Sequence, residues 1–403
     1  LYLRLLRENR DFRLLYIGTL ISLGGDWFLT VALLDLVLTL TGSATLASLM
    51  LLCQTLPIFF FTPIAGHMVD KVDRRKLMIL VDVLRTGACL LPLLARTPAM
   101  LPFAYLGVVL ISIGSAYFEP ASQAALPNIV ATEDLGPANV LMGSTWGTML
   151  AAGAAIGGLV TMKLGRDLSF VIDAVSFLFS AFVLWRMHAR FSEVRSAQHE
   201  HPPLVESIRE TARYAKTHPR VLALLVVKGG YGTSGGVIAM LSVFGKEVFH
   251  AGAVGIGLLF AARGLGALIG PFLVRAIAKT DESQYRSITA AVLMFALGYA
   301  GLGLAPTLTV GLVAIFVAHL GGGIAWQVSS YGLQRESDDW IRGRVFSADY
   351  GILTFTMALS SLVAGVLSDR IGPSFATVSL ASLCVLFAVI WGVTTWPLWR
   401  RVP

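Results

Sequence analysis

Asp26, Glu119, Lys228, Arg263 and His319 stand inside stretches of sequence that are otherwise apolar. If those stretches lie in a bilayer, each ionised group costs at least about 2.5–3.5 kcal/mol at the membrane centre. Each therefore needs a partner, a water-filled cavity or a task. Asp26 lies near the middle of its stretch, where a carboxylate can accept a proton, contact a solute or bond a neighbouring helix. Asp35 follows nine residues later, which at 100° per residue puts it on the opposite helix face, near an end from which it can reach water. Glu119 precedes the helix-perturbing Pro120 and is the second candidate proton carrier. Lys228 and Arg263 have no local carboxylate, so they must look to other helices or to an anionic substrate group. His319 titrates near neutral pH in its free form, yet a single His among Gly and Ala also fits a hydrogen-bonded packing role.

Other combinations read as structural or gating. Asp82 and Arg85 are three residues apart, so they meet on one helix face and neutralise each other. Asp173 and Asp349 fall near the ends of their stretches, with Arg342 or Arg344 a mate for Asp349. Cys53, Cys89 and Cys384 form no CxxC pair and lie near no His, so they read as small core residues rather than metal ligands. No HExxH pair or Ser with a base occurs, which argues against an enzyme, and no cofactor or metal is expected. No GxxxxGK[ST] loop is present either, so ATP is not the energy source and a gradient must be.

The elements that carry these residues follow from composition. The 403-residue chain is 56% apolar and only 14% charged, against about 25% charged for soluble domains. Apolar runs long enough to cross a bilayer as helix, about 20 residues each, predict twelve spans at 12–40, 43–66, 76–95, 100–124, 138–162, 168–187, 220–244, 253–275, 287–305, 308–333, 345–367 and 374–397. They are apolar all round, unlike the alternating segments of a transmembrane barrel. Threading twelve spans puts both termini on one side, and 23 of the 31 Lys and Arg fall there. The positive-inside rule makes that side cytoplasmic. The net charge of +7 is thus set by topology, and no nucleic-acid partner is expected.

The longest polar break, 188–219, predicts a linker between the sixth and seventh spans. Within it Leu204, Val205, Ile208, Ala212 and Ala215 recur at helical spacing, as in a surface helix. The flanking segments, 1–187 and 220–403, repeat each other. Gly158–Gly165 aligns with Gly365–Gly372, and the same offset sets Gly114 on Gly321 and Gly136 on Gly343. An even number of spans separates the repeats, so they share one orientation in the membrane. The expected fold is all-α, with twelve transmembrane helices in two six-helix bundles.

Between the second and third spans the chain reads Gly66-His67-Met68-Val69-Asp70-Lys71-Val72-Asp73-Arg74-Arg75-Lys76. This resembles the signature loop of the major facilitator superfamily, with Asp73 where the family usually has Gly. The resemblance implies conformational or gating roles for Gly66, Asp70, Lys71, Arg74 and Arg75, joined by Asp82, Arg85 and Asp349. Further stretches, Gly24-Gly25-Asp26, Phe118-Glu119-Pro120-Ala121, Ile172-Asp173-Ala174-Val175-Ser176-Phe177 and Arg342-Gly343-Arg344-Val345, resemble the macrolide-efflux and enterobactin-exporter-like branch. Gly143, Gly147, Gly153 and Gly157 have spacings that suit close helix packing, and Gly153-Ala-Ala-Ile-Gly157-Gly158 resembles an antiporter motif with Ala154 in place of Pro.

That resemblance implies a monomeric transporter of a bacterial-type inner membrane, in contact with lipid bilayer, small-molecule substrate and protons. Its cargo would be amphiphilic drugs or siderophore-like compounds. Lysophospholipid transport and ferroportin-like metal export are the alternatives. Trp27, Phe28, Tyr117, Tyr231, Trp326 and Tyr331 either line an amphiphile pocket or simply fill the helix core.

Overall fold

The computed structural model describes residues 2–69, 72–131, 134–189, 191, 204–278 and 280–399. Fifteen α-helices run in chain order among them: α1 Tyr2–Glu8, α2 Arg10–Thr41, α3 Ala44–Val69, α4 Arg74–Leu90, α5 Leu101–Ile129, α6 Leu135–Leu164, α7 Arg166–Arg186, α8 Leu204–Thr217, α9 Pro219–Gly235, α10 Val237–Val243, α11 Gly252–Ile277, α12 Asp281–Gly303, α13 Leu308–Glu336, α14 Asp339–Ile371 and α15 Pro373–Trp399. Twelve helical stretches are long and apolar enough to cross a membrane, with α9 and α10 forming one. They match the twelve apolar runs to within a few residues at most ends.

Side-chain caps set several of the helix starts. Asn9 accepts from Phe12 N to begin α2, Thr307 from Val310 N to begin α13, and Thr280 forms a capping box with Ser283 at α12. Asp73, the departure from the signature loop, has such a role: its Oδ1 accepts from Lys76 N at 3.1 Å and caps α4. The turns into α7 and α15 expose the repeat in the backbone. Gly165 and Gly372 take φ of 89° and 85°, a conformation that L side chains rarely adopt, at equivalent places in the two halves.

The chain separates into two compact units. Unit 1 comprises Leu1–Arg195 and Leu241–Ala261, and unit 2 comprises Ser196–Met240 and Ala262–Pro403. The segment Leu241–Ala261 joins unit 1 through identifiable contacts. Lys246 Nζ lies 2.6 Å from Asp35 Oδ1, and Arg166 Nε lies 3.5 Å from Asp35 Oδ2. Asp35, expected to reach water, is instead held by two cations. Lys246 sits in a π-helical turn, Phe244–Val248, that ends the seventh span. The rings of Trp27 and Phe260 lie 5.7 Å apart. A Cβ on Gly158 would stand 2.6 Å from Ala253 O and 3.2 Å from Gly257 Cα, so these helices touch backbone to backbone.

In unit 2 the amphipathic helix α8 packs on α9 and α14. Tyr214 Oη accepts from Asp338 N at 3.0 Å, at the start of α14, while Glu210 pairs with Arg344.

Candidate functional site

Unit 1 gathers four acidic side chains around one guanidinium within its membrane-spanning helices. Asp82 and Arg85 do meet, at 3.4 Å, and both are buried. Arg85 Nε also donates to Ile111 O at 3.4 Å, and its Nη2 donates to Ser115 Oγ. The guanidinium lies 5.2 Å from the Phe118 ring and 4.8 Å from the Phe177 ring, in cation–π range. Gly114 is what lets Arg85 lie there, because a Cβ would stand 2.9 Å from its Cγ and Nε. Asp82 Oδ2 is buried, with the Ser180 hydroxyl the other polar group near the carboxylate.

Asp26 lies within electrostatic reach of Arg85, Glu119 and Asp82. It is half-buried, and Glu119 is exposed, although both are deep in spanning helices. Helix α5 runs without a break through Pro120. The sequence-based candidates Asp26 and Glu119 are thus brought into one electrostatic cluster and keep accessible surface.

Asp173 is the member whose placement the sequence misjudged. Far from ending its helix, it is the eighth residue of α7, fully buried, and within electrostatic reach of Asp26 and Arg85. Cys89 Sγ donates to its Oδ2 at 3.1 Å and Ser176 Oγ to its Oδ1 at 3.2 Å. Gly25 makes the room, since any Cβ there would collide with Asp173 Oδ1 and Ser176 Oγ. Cys89 is accordingly a hydrogen-bond donor as well as a small core residue.

Unit 2 is organised differently. Lys228 finds its carboxylate across helices: its Nζ is 2.5 Å from Asp349 Oδ2, and both side chains are 4% exposed. Of the expected mates of Asp349, Arg344 instead pairs with Glu210, and the side chain of Arg342 lies outside the described residues. Five residues along a helix rotate about 140°, so Arg344 and Asp349 leave α14 on different faces. Lys228 also donates to Ser330 Oγ at 2.9 Å and lies 4.3 Å from the centre of the Trp326 ring.

His319 is buried, shares a 2.8 Å hydrogen bond between its Nε2 and Tyr299 Oη, and meets the rings of Phe295 and Tyr299 edge-on. Arg263 is half-buried, in electrostatic reach of Tyr299 and Tyr231.

The remaining candidates divide by contact. Arg74 Nη1 donates to Phe191 O at 3.2 Å, and Arg75 Nε to Leu184 O at 2.8 Å, so both tie the start of α4 to the chain at the end of α7. Cations at a helix C-terminus also complement its dipole. Gly66 lies in α3, whereas Asp70 and Lys71 lie outside the described residues. Gly153 and Gly157 pack α6 on α2, where a Cβ would stand 3.2 Å from Trp27 Cβ and 3.0 Å from Phe28 Cα. Gly147 is buried. Gly143 packs against nothing among the described residues: it is exposed, with nothing within 4 Å of a Cβ position.

Comparison with known proteins gives a consistent answer. The family described as Transmembrane secretion effector matches residues 6–399. The chain is 24% identical to the protein of Bacillus subtilis (strain 168) named for bacilysin export, BacE, over 95% of this chain and 93% of that one. It is 23% identical to Macrolide efflux protein A of Streptococcus pyogenes, over 94% of each. Among solved structures, a bacterial homolog of the human lysosomal transporter Spinster superposes with a TM-score of 0.75 at 15% identity, covering 98% of both chains. At that identity the likeness carries the fold.

Proposed function

The chain belongs to the Transmembrane secretion effector family of the major facilitator superfamily, and from that premise we propose that it exports drug-like amphiphiles in exchange for protons. It is a multi-pass membrane transporter and not an enzyme. Export of drug-like compounds is supported by the efflux relatives. The excess of Lys and Arg on the terminal side supports cytoplasmic termini in a bacterial plasma membrane.

One observation carries proton exchange: the acid surplus in unit 1. Asp26, Asp82, Glu119 and Asp173 share a single guanidinium, and Asp26 and Glu119 retain accessible surface. Holding four ionised carboxylates on one cation in a bilayer is expensive. Taking up a proton relieves that cost, and the conformation with the drier cluster gains when it does. Asp26 and Glu119, which water can reach, load and release the proton. Asp82 and Asp173, which it cannot, set the field they work in.

Transport is tested with purified protein in liposomes, by following a macrolide under an imposed pH gradient. Asp26→Asn and Glu119→Gln should each abolish gradient-driven flux. Undiminished coupled flux in both variants removes the assignment. The drug-like cargo is adopted over a lipid-headgroup cargo because the matched relatives are named for bacilysin export and macrolide efflux.

A further inference from the structure

The ion pair of unit 2 has unused capacity within the membrane-spanning helices. Lys228 is the tenth residue of α9 and Asp349 the eleventh of α14. Lys228 is thus in the first third of the span Pro219–Val248, and Asp349 lies four residues, about 6 Å, beyond Val345, where the apolar run of α14 begins. Lys228 Nζ donates to Asp349 Oδ2 and Ser330 Oγ and turns its remaining side to the Trp326 ring. Asp349 is not. Its Oδ1 is buried and has no hydrogen-bond partner among the described residues, although a carboxylate oxygen accepts strongly. A buried acceptor left unsatisfied is costly and calls for a donor.

Trp326 supplies the second observation. It is 42% exposed, but its neighbours on that side of α13 within the span are Gln327 and Ser330, neither of them buried. A lipid-facing surface within the span would be apolar. This face of α13 therefore borders water, with an indole presented to it.

Charge decides what fits. The Lys228–Asp349 pair is neutral, so binding a simple cation or anion would leave a net charge in the membrane interior, whereas a zwitterion would not. We propose that Lys228, Trp326, Ser330 and Asp349 form a recognition site for a zwitterionic amphiphile with an amino-acid-like head. Its ammonium donates to Asp349 Oδ1, its carboxylate takes the side of Lys228 now turned to the indole, and its apolar body lies on Trp326. The inference rests on the export reading above and narrows its cargo.

The test is equilibrium binding to the full chain purified in detergent, read by tryptophan fluorescence, with leucyl-phenylalanine as the probe beside its N-acetyl and C-amide derivatives. The free dipeptide should bind, and each blocked form should bind about tenfold or more weakly, as expected when a site built for a polar group meets an analogue lacking it. The double variant Lys228→Met/Asp349→Leu removes both charges together and so avoids stranding one in the interior. It should lose dipeptide binding. Trp326→Ala should weaken all three probes alike and Trp326→Phe should not. Equal binding of free and blocked dipeptides, unchanged binding in the double variant, or no dipeptide binding by the unsubstituted protein overturns the site. Macrolide flux in liposomes that persists in that last case would leave the export reading standing, so the two failures are told apart.

Discussion

The interiors of the two units handle charge in opposite ways. Unit 1 sets several acids on one shared cation, with Arg85 in electrostatic reach of Asp26, Asp82, Glu119 and Asp173. Unit 2 matches one base to one acid at 2.5 Å and surrounds its other basic groups, Arg263 and His319, with tyrosine and phenylalanine. A shared, under-neutralised cluster can change its proton count. A matched pair is neutral as it stands, and a ligand that offers both charges can compete for its partners. The proposed division of labour, protons in unit 1 and solute in unit 2, follows from that contrast.

The contrast is sharpest in stability. Lys228→Met strands a buried carboxylate and should cost about 3–5 kcal/mol, read as a fall in the unfolding midpoint in detergent. Adding Asp349→Leu should restore most of it, since replacing a buried pair with apolar groups is often neutral or better. Arg85→Gln should cost a similar amount, about 3–5 kcal/mol, but adding Asp82→Asn should rescue it only in part, because the other acids still look to Arg85. Full rescue would show that Asp82–Arg85 is a private pair and break the comparison.

A smaller effect tests the packing beneath the cluster. Gly25→Ala drives a Cβ into Asp173 Oδ1 and Ser176 Oγ, and overpacking of this kind costs about 1–3 kcal/mol. A midpoint unchanged by Gly25→Ala would mean that Asp173 has room to move away. The smallest effect is expected at the partly exposed Asp35. Its pairs with Lys246 and Arg166 should contribute about 1 kcal/mol or less each. High salt should therefore narrow the difference between Asp35→Asn and the parent protein.

Much of the fold was legible because hydrophobic length is a one-dimensional signal. The twelve apolar runs, the Gly165 and Gly372 turns and the capping role available to Asp73 all reside in local sequence. The site was legible only in part, for a physical reason. A helix that is apolar all round carries no stripe to reveal its rotation, so sequence could place Asp26 and Glu119 inside apolar stretches without saying what they face. Lys228 and Asp349 are 121 positions apart, and the nearer Arg344 was the natural partner to expect but pairs with Glu210. Asp173 was misjudged for the same reason. Ser176, three residues on, and Gly25, which makes room for the carboxylate, were the available hints.

The most direct test of the central claim is the proton count of the cluster, measured as the pH change when a macrolide is added to the purified, weakly buffered protein. Substrate binding should displace protons from the unsubstituted protein and from Lys228→Met/Asp349→Leu supplied with enough macrolide to saturate it. It should displace fewer from Asp26→Asn or Glu119→Gln. Equal displacement from the unit 1 variants, with loss only in the unit 2 variant, would contradict the account.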